Sequence, residues 1–171
     1  MKALVVIDMQ NDFIRGTLGS PEAEAIVPKV REKILAHDGP LFFTKDIHHS
    51  DYYDHWESRA VPAHCIAGTQ GAEITEDLVD LVPLGIVLTK EQYGYDDWNN
   101  FELYRTLSDA NEIEVCGLCT DICVISNALI LRALYPEHNI IVDANCCAGS
   151  SKEAHDAAIK VMKSCNITVK E

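Results

Sequence analysis

A chain of 171 residues with 47% hydrophobic content can bury a substantial core, and it lacks the bias of fibrous, disordered or low-complexity proteins. A formal net charge of −13, with no run of Lys or Arg to offset it, argues against nucleic acid and membrane surfaces as partners. Seven cysteines, an odd number, no apolar run of membrane-spanning length and no signal-peptide core before Asp8 together suggest a reduced, cytoplasmic protein with one domain over residues 1–171.

Short apolar runs alternate along the chain with segments of helical period. The first run, Ala3–Ile7, ends at Asp8. Val27, Val30, Ile34 and Leu35 then make a helical stripe that Gly39-Pro40 stops, with Pro28 fitting near its first turn. Leu41–Thr44 is the second strand candidate, followed by Asp46 and His48. The irregular stretch from Asp46 to about Thr69 is too long for a mere connection and reads as a functional loop. Ile86–Thr89 leads to Lys90, and Phe101–Leu107 has helical period. After Glu112–Cys116 comes Leu118-Cys119-Thr120-Asp121-Ile122-Cys123, opening a helix over Asp121–Leu134 that is apolar nearly all round and should be the most buried. Ile140–Asp143 is the fifth strand candidate. The helix at Lys152–Lys163 has Ser150 and Glu153 in capping-box spacing and Ala154, Ala157, Ala158, Val161 and Met162 on one face. Ile167–Val169 is the sixth strand.

This alternation predicts an α/β fold: a doubly wound, mostly parallel six-stranded sheet with helices on both faces. Such sheets bind ligands outside the carboxyl ends of their strands. Asp8, the Asp46/His48 pair, Lys90 and the loop carrying Cys123 each follow a strand, so an acid, metal-ligand types, a cation and a thiol converge on one edge. With Thr120 as N-cap, Cys123 falls in the first helical turn, where unpaired N–H groups favour a thiolate.

Val6-Ile7-Asp8-Met9-Gln10-Asn11-Asp12-Phe13, the Thr89-Lys90 step and Gly117-Leu118-Cys119-Thr120-Asp121-Ile122-Cys123-Val124 resemble the cysteine hydrolases of the isochorismatase-like superfamily, in order and spacing over essentially the whole chain. Asp46-Ile47-His48, Pro62-Ala63-His64-Cys65 and Gly68-Thr69-Gln70-Gly71-Ala72-Glu73 resemble its nicotinamidase branch. The resemblance implies a Rossmann-like fold and an amide-hydrolysing triad. Cys123 is the nucleophile, Asp8 takes and returns the proton, and Lys90 keeps Asp8 ionised and stabilises the thiolate. It further implies a cis Leu118-Cys119 peptide that aims the N–H groups of Cys119 and Cys123 at the oxyanion. Cys119 stands where the family more often has Ala.

The same resemblance implies a metal held by Asp46, His48 and His64, a set that suits Zn2+, with Fe2+ or Mn2+ as substitutes. Glu57 matches a carboxylate that completes the shell in some members, and His55 and Asp54 compete for that place. Phe13 and Tyr93 occupy positions that pack the nicotinamide ring, and Trp56 is a further pocket candidate. Val61 departs from the family pattern, which often has an aromatic there, and the short end after the last strand suggests a more open pocket. The implied partner is a small amide, nicotinamide first, with a homo-oligomer left open.

Three other readings compete. Cys116-Gly-Leu-Cys119 after a strand has thioredoxin-type spacing but leaves Asp8, Lys90 and the metal set unexplained, and Cys116 belongs inside the strand. A metal-binding scaffold without turnover is disfavoured by the complete triad. An amidase for another small amide is the nearest alternative. Cys146 and Cys147 read as small buried residues after a strand.

Overall fold

Ala3, Val5, Val6 and Ile7 have no exposed surface, which is why β1 (Lys2–Ile7) is written as an unbroken apolar run: both of its faces are covered. A computed structural model describes residues Met1–Glu171. β1 is the centre of a six-stranded sheet with β2 (Leu41–Asp46), β3 (Ile86–Lys90), β4 (Glu112–Leu118), β5 (Asn139–Ala148) and β6 (Thr168–Lys170), in the order β3-β2-β1-β4-β5-β6. Every pairing is parallel. The helices are α1 (Asn11–Ile14), α2 (Pro21–Leu35), α3 (Phe101–Ser108), α4 (Ile125–Leu134) and α5 (Lys152–Ser164). The chain runs outward from β1 to β3 and then restarts at β4 on the other side of β1. Right-handed crossovers in the two directions put helices on opposite faces and open a crevice at the β1/β4 switch point.

Strands β2, β3 and β4 run one or two residues past their predicted ends. Asp46 and Lys90 are therefore the last residues of paired strands, directly opposite each other in register. Ladder pairing continues there because the buried backbone has no water to satisfy it. β5 likewise continues past an irregularity opposite Val115 and Gly117, so Cys146 and Cys147 lie within the strand rather than after it.

Several local expectations are corrected. Helix α2 starts at Pro21 behind the Ser20 cap, whose Oγ accepts from the Ala23 N–H at 3.1 Å, so Pro28 sits in the helix interior. Its exposed position leaves the unpaired carbonyl one turn earlier to water. Leu35 is exposed, and Ala23, Ile26, Val27, Val30 and Ile34 form the buried stripe. The cap of α5 is Ser151, which accepts from Ala154 N–H at 3.1 Å. Ser150 is instead bound to Asp121, its Oγ donating to Oδ2 at 2.6 Å and its N–H to Oδ1 at 2.7 Å. Ala158, Ile159 and Met162 form the buried face of α5, while Ala157 and Val161 are exposed. Thr120 is not an N-cap: Thr120–Val124 is a π-helical turn preceded by Cys119, and the Thr120 hydroxyl is 2.8 Å from His155 Nδ1. Over Asp121–Leu134 every residue except the exposed Ala133 is buried or half-buried. No helix is long and apolar enough to cross a membrane.

Candidate active site and metal centre

The carboxyl ends of β1 and β4 approach closely because of one glycine. Gly117 adopts φ +118°, and a Cβ there would lie 2.1 Å from the Ile7 carbonyl oxygen. This contact sets the Leu118–Cys123 turn beside Asp8, which itself has the left-handed φ of 46°. The Leu118-Cys119 peptide is cis, as expected. Asp8 is anchored by Thr44 on β2, whose hydroxyl accepts from the Asp8 N–H at 3.2 Å and donates to Oδ1 at 2.5 Å. The other oxygen, Oδ2, contacts the Lys90 ammonium at 2.7 Å. Lys90 Nζ also donates to Asp46 Oδ1 at 3.1 Å and to Cys123 Sγ at 3.6 Å. Asp8, Lys90, Asp46 and Cys123 are all buried.

Burial raises the Asp8 carboxyl above the usual range, opposed by Lys90 and reinforced by Asp46. Burial would lower Lys90, but the charges of Asp8, Cys123 and Asp46 outweigh it and hold the ammonium protonated. Cys123 is pushed in the direction opposite to that of a helix start. Burial raises its thiol well above the ordinary value, Lys90 opposes, and the carboxylates of Asp8 and Asp46 raise it further. For Cys123, desolvation and two neighbouring anions thus push against the thiolate that the start of a helix favours. Its proton needs an acceptor, and Asp8 is beside it.

Asp46, His48 and His64 place their ligand atoms within 4.8 Å of one another, all buried. Asp46 Oδ2 is 3.0 Å from His48 Nε2 and 3.1 Å from His64 Nε2. The other ring nitrogen of His64, Nδ1, is 2.8 Å from the Pro62 carbonyl and donates to it. In neutral His64 this leaves the Nε2 lone pair aimed at a carboxylate oxygen, an arrangement that a cation between them satisfies. The three donors therefore fit a divalent metal. Burial would raise the Asp46 carboxyl, but His48, His64 and Lys90 outweigh it and lower it strongly. Gln10, fully buried, fixes the Asp46 backbone from both sides: its Nε2 donates to the Asp46 carbonyl at 2.7 Å and its Oε1 accepts the Asp46 N–H at 2.7 Å. Glu57 stands at the edge of the set, with oxygens 3.8 Å from His64 Nε2 and 4.0 Å from His48 Nε2. His55 turns away to Asp51 at 3.5 Å, and Asp54 is exposed.

The two clusters open on one cavity of about 450 Å3 whose lining includes Phe13, Glu57, His64, Tyr93, Cys119 and Cys123. Phe13 meets the His64 ring edge-on at 5.2 Å. Trp56 is not a pocket residue. It is 77% exposed with the Arg59 guanidinium 3.7 Å over its ring, because the short helical turn Trp56–Arg59 points Glu57 inward and its neighbour outward. Val61 lines the cavity, and its carbonyl accepts from the Tyr52 hydroxyl at 2.9 Å. Cys116 is buried in β4, as expected, and all seven cysteines are free.

The model of the isochorismatase domain matches residues 2–171. The chain belongs to the isochorismatase family. Within this family it is 31% identical over 193 residues to the nicotinamidase/pyrazinamidase of Mycobacterium tuberculosis, covering 98% of this chain and 97% of that one. The crystal structure of nicotinamidase/pyrazinamidase PncA from Bacillus subtilis superposes with a TM-score of 0.80 at 30% identity, over 99% of both chains. A Pyrococcus horikoshii pyrazinamidase in complex with zinc gives a TM-score of 0.80 at 27% identity, covering 99% and 98%. Sequence reasoning missed several residues of this isochorismatase-family site: Thr44, Gln10 as a tether, and the wall residues Leu18 and Ile122. Thr44 carried a detectable signal, as a hydroxyl inside an otherwise apolar strand.

Proposed function

We propose that this protein is a metal-assisted nicotinamidase, hydrolysing nicotinamide to nicotinate and ammonia through a thioester on Cys123. The observation that carries the reading is Lys90, which touches Asp8, Asp46 and Cys123 and so joins a nucleophile, a base and a metal-ligand cluster on one cavity. Asp8 Oδ2 takes the thiol proton as Sγ attacks the carboxamide carbon, and the N–H groups of Cys119 and Cys123 receive the oxyanion. Collapse breaks the C–N bond while Asp8 returns the proton to the leaving ammonia. Asp8 then takes a proton from the water that attacks the thioester and gives it back to the departing thiolate. Lys90 stays protonated throughout and balances the negative charge passing between Asp8 and Cys123.

Asp46, His48 and His64, with Glu57 at the open side, would hold the ion, zinc by the donor set and Fe2+ or Mn2+ as substitutes, which would supply a Lewis-acid site for the pyridine nitrogen and so orient the ring. Phe13 and Tyr93 flank that ring as apolar walls. The free cysteines favour a reducing, cytoplasmic setting, and the family match over residues 2–171 supports one hydrolase domain.

Ammonia release from a substrate panel tests the reading. Nicotinamide and pyrazinamide are expected to turn over on the order of a hundredfold faster than benzamide, which lacks the ring nitrogen, and isonicotinamide, which misdirects the carboxamide. Equal rates on nicotinamide and benzamide would remove ring orientation by the metal and favour an amidase for another small amide, which the aliphatic wall of Leu18, Val61 and Ile122 would suit.

A further inference from the structure

Asn127 lies in the interior of helix α4 with no exposed surface, a position where an amide is a poor helix former and costly to bury. Neither the triad nor the metal cluster accounts for it. Its amide has two donor hydrogens and two acceptor lone pairs, and all four are used. Oδ1 accepts from the Tyr95 N–H and from the Trp98 indole Nε1–H, both at 2.9 Å. Nδ2 donates to the Cys123 carbonyl at 2.8 Å and to the Tyr93 carbonyl at 3.3 Å.

These partners belong to two different parts of the site. Cys123 is one helical turn before Asn127, and Tyr93, Tyr95 and Trp98 lie on the irregular segment between β3 and α3. That segment begins just after Lys90 and carries the Tyr93 wall of the cavity. It packs directly on α4, since a Cβ on Gly94 would lie 2.5 Å from Ile130 Cδ1. Its far end is anchored by the buried Trp98, whose carbonyl accepts from the Tyr135 hydroxyl at 2.9 Å. The irregular segment has no ladder of its own to hold Tyr93, so the Asn127 amide supplies the link.

We propose that Asn127 is a positioning residue that holds the Tyr93 wall in register with the Cys123 turn, and so sets how tightly the substrate ring is held against the nucleophile. Its kinetic consequence rests on the amidase reading above. The link itself does not.

Two measurements test it. In Asn127→Leu, which removes all four hydrogen bonds at similar volume, amide hydrogen exchange across residues 93–98 should accelerate at least tenfold while β1 stays protected. Unchanged exchange there would overturn the link, whatever the substrate proves to be. In Asn127→Asp, which keeps the acceptor for Tyr95 and Trp98 but loses the donors, KM for nicotinamide should rise about tenfold with kcat within about threefold. In a Tyr93→Ala background the same substitution should change KM less than twofold, because the wall it positions has gone. Independent, multiplying effects, or an equal loss of kcat with KM unchanged, would overturn the positioning role. A wild-type chain inactive on nicotinamide would instead sink the substrate assignment, and exchange would still decide the link.

Discussion

The Lys90 ammonium lies 2.7 Å from Asp8 Oδ2 with neither side chain exposed to solvent. Breaking a buried pair by removing one partner typically costs about 3–5 kcal/mol, because the remaining charge has neither water nor a counterion. Lys90→Met strands Asp8 and Asp46 together and is expected to destabilise the fold by about that amount and to abolish ammonia release. Denaturant midpoints and turnover check it. A variant within about 1 kcal/mol of wild type and still active would remove Lys90 from the mechanism.

Cys123→Ala removes the proposed nucleophile but little volume. Turnover should fall by about a thousandfold or more while the fold and metal content persist. Cys116→Ala, inside β4 and away from the cavity, should keep activity within a few-fold and lose about 1 kcal/mol of stability through the small void it leaves. Near-normal turnover in the Cys123 variant would disprove the thioester route.

Metal content should depend jointly on Asp46, His48 and His64, since two remaining protein donors hold a divalent ion poorly. Elemental analysis after dialysis should give close to one transition metal per chain for wild type and little for each alanine variant. Glu57→Gln should weaken binding on the order of tenfold, in keeping with its place at the edge of the set. A metal-free wild type whose activity responds to neither chelation nor zinc return would favour a metal-independent amidase.

Stability should fall in acid through Glu114, away from the active site. Burial would raise this carboxyl, but Lys33, Lys2 and Lys170 outweigh it and hold it down to about 2 against the usual 4.5. A depressed folded value means the stabilisation is present above pH 4.5 and is lost as pH falls from there toward 2. Glu114→Gln should therefore be less stable than wild type at pH 7, on the order of 2–3 kcal/mol. That difference should shrink steadily as the pH is lowered through the same window. A gap independent of pH would assign the loss to packing.

The residues legible in the sequence were those whose burial leaves a local pattern. Strand β1 is covered on both faces and so appears as Ala3–Ile7 with no polar interruption, and the acid, cation and thiol that follow strands are found by reading what comes next. Less legible were features that depend on a neighbour in space. Ser150 has the spacing of a cap, yet Asp121, 29 residues away, takes it and leaves the role to Ser151. Trp56 and Glu57 are adjacent in sequence, and only the turn that carries them decides which one faces the cavity.

By itself the sequence determined the α/β architecture and which functional groups follow its strands, because hydrophobic periodicity and functional-group chemistry are local properties of the chain. Only the tertiary structure decided the surroundings of the Cys123 thiol. The start of a helix argues for a thiolate, whereas full burial beside Asp8 and Asp46 pushes the thiol up. It alone decided what Asn127 does as well, since an amide in an apolar helix acquires its purpose from Tyr93, Tyr95 and Trp98, about 30 residues earlier in the chain. Desolvation and hydrogen-bond satisfaction are set by everything that surrounds a group, and that surrounding exists only once the sheet has brought distant segments together.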